Sequence, residues 1–469
     1  MKFRIERDSL GEVKVPLGVY YGAHTQRSKE NFSISGRRWH PLLLRSMVII
    51  KLACCRANAS LGILGERKAG AIEQSCKDLL AGKCKDQFIL DVYQAGSGTS
   101  TNMNVNEVIA ARAGEILGKR DGSQGIVHPN DDVNRGQSTN DVVPTSMKMA
   151  SLRALDALEE QLLLLQKALY DKGKEFSGIL KSGRTHLQDA VPITLGQEFS
   201  AYSRAVEKDL LRLQRCKENL TELAMGGNAV GTGLNTHPSF RKKVIKELSS
   251  LTRKSFKEAK DGLESIQFLT DIAAFHSTLK LVAIDLNKIA NDLRLLASGP
   301  TTGLNEIALP AVEPGSSIMP GKVNPSILEA VNMVAHRVMG NDTTLTISCA
   351  SGNLELNTHM PIIANTLMES MDILTGGIRT LRERCISGIR PNEEQCRHYF
   401  EHSMALATAL NPLVGYDKAA QVVKEARAGK KTIKDVIISK GILTEQEVKR
   451  LLDPDSLTRP NLTNGQKKF

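Results

Sequence analysis

A mainly α-helical chain organised around a long central helix bundle is what this sequence predicts, and three observations predict it. From residue 145 to residue 172 there is neither glycine nor proline, and Leu152, Leu155, Leu158, Leu162, Leu165 and Leu169 recur at helical spacing. Similar stretches cover about 194–224, 238–252, 260–297, 325–347 and 356–386. Aromatic residues make up only 4% of the chain, so the core must be aliphatic. Long helices joined by short polar loops argue for a bundle. Their apolar faces are too wide for a lone bundle to cover, which predicts packing against other subunits.

Taken in order, residues 1–40 read as mixed and extended, with Pro16, Gly18 and Gly22 as punctuation and the weak strand signals concentrated there. Helical periodicity begins at Pro41 and runs to about residue 60, and a second helix is expected over about 66–82. Residues 91–104 read as a Gly/Ser/Thr/Asn loop leading into a helix over about 105–117. Residues 119–141 read as polar loop again, and Pro144 is expected to open the central region. A shorter helical module starts near Pro391, and the polar, basic tail from about residue 454 is expected to fray. The expected domains are therefore 1–140, mixed and mostly helical; 141–390, the long-helix bundle with a loop at 315–325; and 391–469, small and helical.

Composition narrows the function classes. A chain of 469 residues with 41% hydrophobic and 24% charged residues is ordinary for a globular protein of several domains. The net charge of +11 comes from basic residues spread along helices among acids. It reads as a solvated surface that helps to attract a small anion, and not as a nucleic-acid interface. The eight cysteines form no CxxC pair and no His spacing for zinc, so no metal is expected and the thiols read as those of a reduced, cytoplasmic protein. The N-terminus has no apolar signal segment. The most apolar run, 41–55, is interrupted by Arg45 and Lys51, so no membrane association is expected.

Chemistry concentrates in the polar loops. Residues 315–325 hold Gly315, Pro320, Gly321 and Pro325, which break helix and strand, together with Ser316, Ser317, Lys322 and Asn324. Such a loop can close over a substrate, and Lys322 suits a carboxylate or phosphate. Serine is a poor base unless its neighbours lower its pKa, as a nearby lysine and loop amides can. Ser97, Thr99 and Ser100, with Thr101 beside them, lie just before a helix and form a candidate anion seat; N-capping explains one or two such hydroxyls, not four. Ser138, Thr139 and Asn140 offer neutral donors, although a capping box alone would account for them. Thr185 and His186 lie in another polar loop, 183–189. The Gly-rich 226–235 segment has helical flanks, which argues against a dinucleotide site. Together these loops suit a small dianionic carboxylate held by neutral donors and one cation.

The 315–325 string closely resembles the GSSxMPxKxN signature of the fumarase/aspartase superfamily, and the resemblance runs from about residue 3 to about residue 460. It implies a three-domain lyase whose central bundle assembles a homotetrameric core, with each active site shared between subunits. It also implies anti elimination from a succinyl-type dicarboxylate to give fumarate, without a cofactor. Position by position, Ser316 matches the catalytic base, while Ser317, Lys322 and Asn324 match contacts to substrate carboxylates. Ser97, Thr99, Ser100, Ser138, Thr139 and Asn140 match the carboxylate and leaving-group pocket. Thr185 and His186 match the pair near the leaving group, and Glu329 the acid that pairs with that histidine. His128, Asn130 and Asp131 are similar to the secondary anion site of fumarases.

Within the superfamily, Tyr20 to Gly22, Asp86 to Ile89 and above all Gln137 to Asn140 are similar to aspartate ammonia-lyases; fumarases usually carry a second serine where Thr139 stands. Gly352 to Asn357, Asn235 to Pro238 and the 128–131 segment are similar to class II fumarases. Thr139 lies inside the matched pocket, so the resemblance leans to deamination of L-aspartate, with L-malate dehydration as the alternative. A non-catalytic structural homologue, as among lens crystallins, would be expected to lose motif residues, and Ser316, Lys322, Asn324, Thr185 and His186 are all present.

Overall fold

The computed structural model describes residues 2–118 and 126–460; the expected loop over 119–125 and the tail beyond 460 lie outside the described residues. The chain is mainly α. It opens with an antiparallel hairpin of β1 (Phe3–Asp8) and β2 (Gly11–Pro16), Phe3 facing Pro16. Helix α1 (Ala23–Asn31) follows within the stretch expected to be extended. Its N-terminus is capped from far away in sequence, because the buried Glu107 carboxylate accepts from the N–H groups of Gly22, His24 and Thr25 and from the Thr25 hydroxyl. A local reading cannot see that cap.

Helices α2 (Pro41–Ser60) and α3 (Glu66–Leu80) sit where periodicity placed them. His40 caps α2 by accepting from the Leu42 N–H, with Pro41 at the first helical position. Helix α4 (Thr99–Ile116) starts six residues before the expected 105. Its first turns are buried although polar, with Asn102, Asn104 and Asn106 all inside, so no apolar stripe marks them. Helix α5 (Thr139–Glu175) likewise begins before Pro144, not at it. The Asp141 carboxylate accepts from the Ser138 N–H at 3.0 Å and starts the helix there. Pro144 is near enough to the N-terminus that its missing N–H deprives only the Asn140 carbonyl.

The segment over 183–189, read as loop, is the turn of a second antiparallel hairpin of β3 (Leu180–Thr185) and β4 (Gln188–Thr194). Then come α6 (Leu195–Cys216), α7 (Phe240–Thr252), the single turn α8 (Glu264–Gln267), α9 (Thr270–Leu296), α10 (Ser326–Ala350) and α11 (Met360–Arg384). The helix expected to reach 224 ends at Cys216, because Glu222–Leu223 pairs in parallel with Lys257–Glu258; that pairing also delays the next long helix to Thr270. The C-terminal stretch carries α12 (Glu393–His402), α13 (Asn411–Val414), α14 (Tyr416–Gly429), α15 (Ile433–Ser439), α16 (Glu445–Leu451) and α17 (Pro454–Leu457). Leu406, Leu410, Val422, Ile433, Val436, Ile437 and Val448 give this stretch an apolar cluster of its own. Capping boxes at Thr432/Asp435 and Thr444/Glu447 fix two of its helix starts.

The chain divides into two compact units, each assembled from separated stretches: Met1–Glu159, Leu211–Ala283 and His336–Thr375 in the first; Glu160–Leu210, Ile284–Ala335 and Gly376–Phe469 in the second. In the first, Met47, Ile50, Ile72, Val108, Ile109, Val142 and Met147 are fully buried in the core. In the second, Leu162, Leu165, Leu169, Phe176, Phe199 and Leu293 are likewise buried, with Phe176 and Phe199 edge to face at 5.2 Å. Among the described residues no helix is long and apolar enough to cross a membrane.

Candidate active site

The first unit positions six of the expected pocket residues on two helix N-termini. Gly98 precedes α4 in a left-handed conformation (φ +89°), and a Cβ there would meet Val143 at 3.1 Å and Trp39 at 3.3 Å, so glycine is required both for conformation and for space. The Ser97 and Thr99 hydroxyls lie 2.7 Å apart, and Ser100 is buried in the first turn. At the start of α5, the Ser138 hydroxyl accepts from the Asn140 N–H at 3.2 Å and the Asn140 side chain donates to the Ala229 carbonyl at 2.8 Å. The buried Asp141 carboxylate also accepts from the Gly226 and Asn228 N–H groups, which ties the Gly-rich turn to this helix start.

The two N-termini are joined by a polar network that sequence reasoning missed. Asn102 of α4 donates to the Thr139 hydroxyl oxygen at 3.0 Å. Asn102 and Asn106 also direct their side-chain N–H groups at the Asn134 side-chain oxygen, at 3.4 and 3.2 Å. Lys51 of α2 donates to that same oxygen at 2.7 Å and is itself fully buried. Burial depresses the Lys51 ammonium to about 8 and pushes the Asp141 carboxyl up to about 7, the latter against the pull of three backbone N–H donors. The available signal was Lys51 itself, a lone cation within an apolar helical run. The 128–131 segment forms one π-helical turn, Pro129–Val133. His128 Nδ1 accepts from the Asp131 N–H at 3.1 Å, and His128, Asn130 and Asp131 are all exposed.

The second unit carries the remaining residues. Thr185 ends β3, and His186 and Leu187 make the two-residue turn with φ of 55° and 59°. Positive φ at both positions matches the hairpin twist, yet His and Leu are costly there, of order 1–3 kcal/mol each. The tip is exposed while its base is held by buried charges. Lys181 contacts Glu198 and Glu306, each at 2.9 Å, and Arg184 donates to Glu306 at 2.9 Å.

The 315–325 loop closes on itself. The Gly315 N–H donates to the Lys322 carbonyl at 2.8 Å, and the Asn324 side chain donates to the Gly315 carbonyl at 2.6 Å. Asn324 thus spends its amide N–H on the loop and keeps its oxygen for other partners. The Ser316 hydroxyl oxygen accepts from the N–H groups of Ile318 and Met319, at 3.2 and 3.1 Å. Ser317 and Lys322 are exposed, and Lys322 lines an open cavity of about 410 Å³ together with Val312, Ser316 and Met319. Glu329, in the first turn of α10, lies 3.8 Å from Arg294. Among the described residues no cluster of three or more His, Cys, Asp or Glu side chains could hold a metal ion.

A family described as "Lyase" matches residues 11–340, and one described as "Fumarase C C-terminus" matches residues 406–459. The chain belongs to the fumarase/aspartase superfamily. An aspartate ammonia-lyase from Bacillus sp is 43% identical over 459 residues, 98% of this chain and 98% of its own length. A class II fumarate hydratase from Halobacterium salinarum is 47% identical over 464 residues, 99% of this chain and 98% of its own. The crystal structure of a fumarate lyase:delta crystallin from Brucella melitensis bound to cobalt aligns with a TM-score of 0.95 at 45% identity, covering 98% of this chain and 100% of that one. This superfamily member is a fumarate-forming lyase. The names of its relatives divide between aspartate ammonia-lyase and, more often, class II fumarate hydratase.

Proposed function

We propose that this lyase converts L-aspartate to fumarate and ammonia, and that it works as a homotetramer in which neighbouring subunits complete each site. The observation that carries the choice of substrate is Thr139. Its hydroxyl oxygen already accepts from Asn102, so its geometry is fixed and its own proton is left for a partner in the pocket. A leaving amine departs as ammonia from an ammonium and needs no strong acid. A leaving hydroxide needs a proton delivered to it. Ser138, Thr139 and Asn140 are neutral groups, suited to orienting an amine.

In this reading Ser316 removes the C3 proton. Two backbone N–H donors on its oxygen lower the cost of an alkoxide, as an oxyanion hole does. Charge then builds on the adjacent carboxylate, where Lys322, Ser317 and the Ser97–Thr99 pair are the stabilising groups. Thr185 and His186, at an exposed hairpin tip, serve the leaving group in a neighbouring subunit, with Glu329 behind the histidine. The exposed tip supports assembly, because a strained catalytic turn left in water would be poorly positioned.

The second reading, dehydration of L-malate, is favoured by the names of most relatives and by His128, Asn130 and Asp131. A steady-state comparison of kcat/KM for L-aspartate and L-malate, with EDTA present, decides between them. Faster turnover of aspartate is expected, and faster turnover of malate overturns the assignment to aspartate.

A further inference from the structure

Lys51 has no place in the chemistry described so far, yet it is a lysine with no exposed surface, and it donates a hydrogen bond to the side-chain oxygen of Asn134. An uncompensated buried ammonium is costly, and an apolar residue of similar length would pack the same space more cheaply. Its surroundings are organised towards the pocket. The Asn134 side-chain N–H donates to the Gln137 carbonyl at 3.1 Å, and Gln137 in turn donates to the Val133 carbonyl at 3.0 Å. The turn that leads into α5 is thereby locked from within. Asn58, two helical turns after Lys51 on α2, donates to the Arg135 carbonyl at 3.0 Å and locks it from outside. Asn102 sits one turn into α4, three residues after Thr99, so the amide that reaches Thr139 belongs to the same helix start that carries the Ser97–Thr99 pair. Asn102, Asn106 and Lys51 are all essentially inaccessible to water.

We infer that Lys51 is a positioning residue. Through the Asn134 oxygen it fixes Asn102, and through Asn102 it fixes the orientation of the Thr139 hydroxyl relative to the departing group. The inference rests on reading residues 138–140 as the leaving-group pocket. Three polar side chains converge on one acceptor, and the charge of Lys51 strengthens the orientation that the Asn134 donation to Gln137 already favours: an ammonium demands the amide oxygen. With that oxygen fixed, Asn102 must present an N–H to Asn134 and to Thr139. Without the ammonium, the Asn134 amide is held only by its neutral partners Gln137, Asn102 and Asn106, and the Thr139 proton is aimed less tightly.

The test is Lys51→Met in the full-length protein, with Asn102→Ala and the double variant beside it. Thermal unfolding and oligomeric state are measured, and kcat and KM are determined on both L-aspartate and L-malate. Lys51→Met is expected to unfold at or above the wild-type temperature and to keep KM within about twofold. It should lose roughly tenfold or more in kcat on the substrate the wild type prefers, since one misdirected hydrogen bond of about 1.4 kcal/mol is a factor of ten. Asn102→Ala should lose a similar amount, and the double variant little beyond the larger single loss, as members of one relay do. An unchanged kcat in Lys51→Met, or losses that multiply in the double variant, overturns the relay. Should Lys51→Met fail to fold, an unchanged kcat in Asn102→Ala overturns it equally. A wild type that prefers malate, with the same pattern of losses on malate, overturns the assignment of substrate and leaves the relay standing.

Discussion

At the scale of single residues the site is built from groups held in unusual states. Ser316 is the clearest: two loop N–H groups already point at its oxygen before any substrate arrives. Ser316→Ala should reduce kcat by about a hundredfold to ten-thousandfold, the range a positioned general base contributes, while a non-reactive dicarboxylate binds nearly as well. Fumarate formation followed by its ultraviolet absorbance, together with calorimetric titration of the analogue, checks this. Near-normal turnover would remove Ser316 from the role of base. Lys51 allows a second test by pH. Its folded-state value falls from 10.5 to about 8 because burial disfavours the ammonium. Between those values the unfolded chain holds a proton that the folded chain does not, so this group makes stability rise as pH rises from about 8 to about 10.5. Buried Cys54 and Cys76, whose thiols are pushed upward, act with the opposite sign, so the informative quantity is the difference between proteins. The stability advantage of Lys51→Met over wild type should be larger at pH 8 than at pH 10 in urea unfolding. A pH-independent difference would mean that Lys51 does not titrate in this window.

At the scale of elements, the 315–325 loop and the hairpin use opposite devices. The 315–325 loop is pinned by its own backbone, and one glycine is indispensable to that pinning. A Cβ at Gly315 would come within 2.4 Å of the Lys322 carbonyl oxygen and 2.8 Å of the Asn324 nitrogen, so Gly315→Ala must open the loop. Gly321 has φ +80° but open space around it, so Gly321→Ala faces only the left-handed backbone penalty of about 1–2 kcal/mol. Gly315→Ala is therefore expected to lose activity and to become much more sensitive to limited proteolysis at the loop, with Gly321→Ala affected far less. Equal behaviour of the two variants would show that the Gly315–Lys322 closure is not the active form. The β3–β4 hairpin is instead pinned from below, by Lys181, Arg184, Glu198 and Glu306, which leaves its tip exposed.

At the scale of the whole molecule, the long helices expose apolar side chains that a lone chain would be expected to cover. Met333 and Ile347 on α10 are 65% and 63% exposed and lie close to one face, fourteen residues apart. Leu281, Ile284 and Leu295 do the same on α9. Exposed rows of this kind on central helices mark association surfaces. If the proposed homotetramer forms through this surface, placing a charge there, as in Met333→Asp, should break it and abolish activity, because in that proposal the hairpin tip and the Ser316 loop serve neighbouring subunits. Light scattering coupled to size exclusion, with activity measured across the peak, checks it. A fully active monomer, wild type or variant, would sink the shared-site reading.

Sequence alone determined the helical class, most helix positions after residue 40, and the family. These are legible because periodicity, Gly/Pro punctuation and the Ser316–Asn324 string are local patterns. Tertiary structure decided the rest, wherever a polar group was satisfied by a distant partner. Helix α1 exists because Glu107 caps it, and α5 starts at Thr139 because Asp141 turns back to Ser138 and gathers the Gly226 turn. Helix α4 starts early because its asparagines are bonded inside, where no apolar stripe could announce them. Lys51 read as an interruption of an apolar run, and only the fold turns it into the buried partner of Asn134. The physical reason is the same in each case. Burial of apolar surface is written into the order of residues, whereas a buried hydrogen bond depends on which partner the fold brings to it.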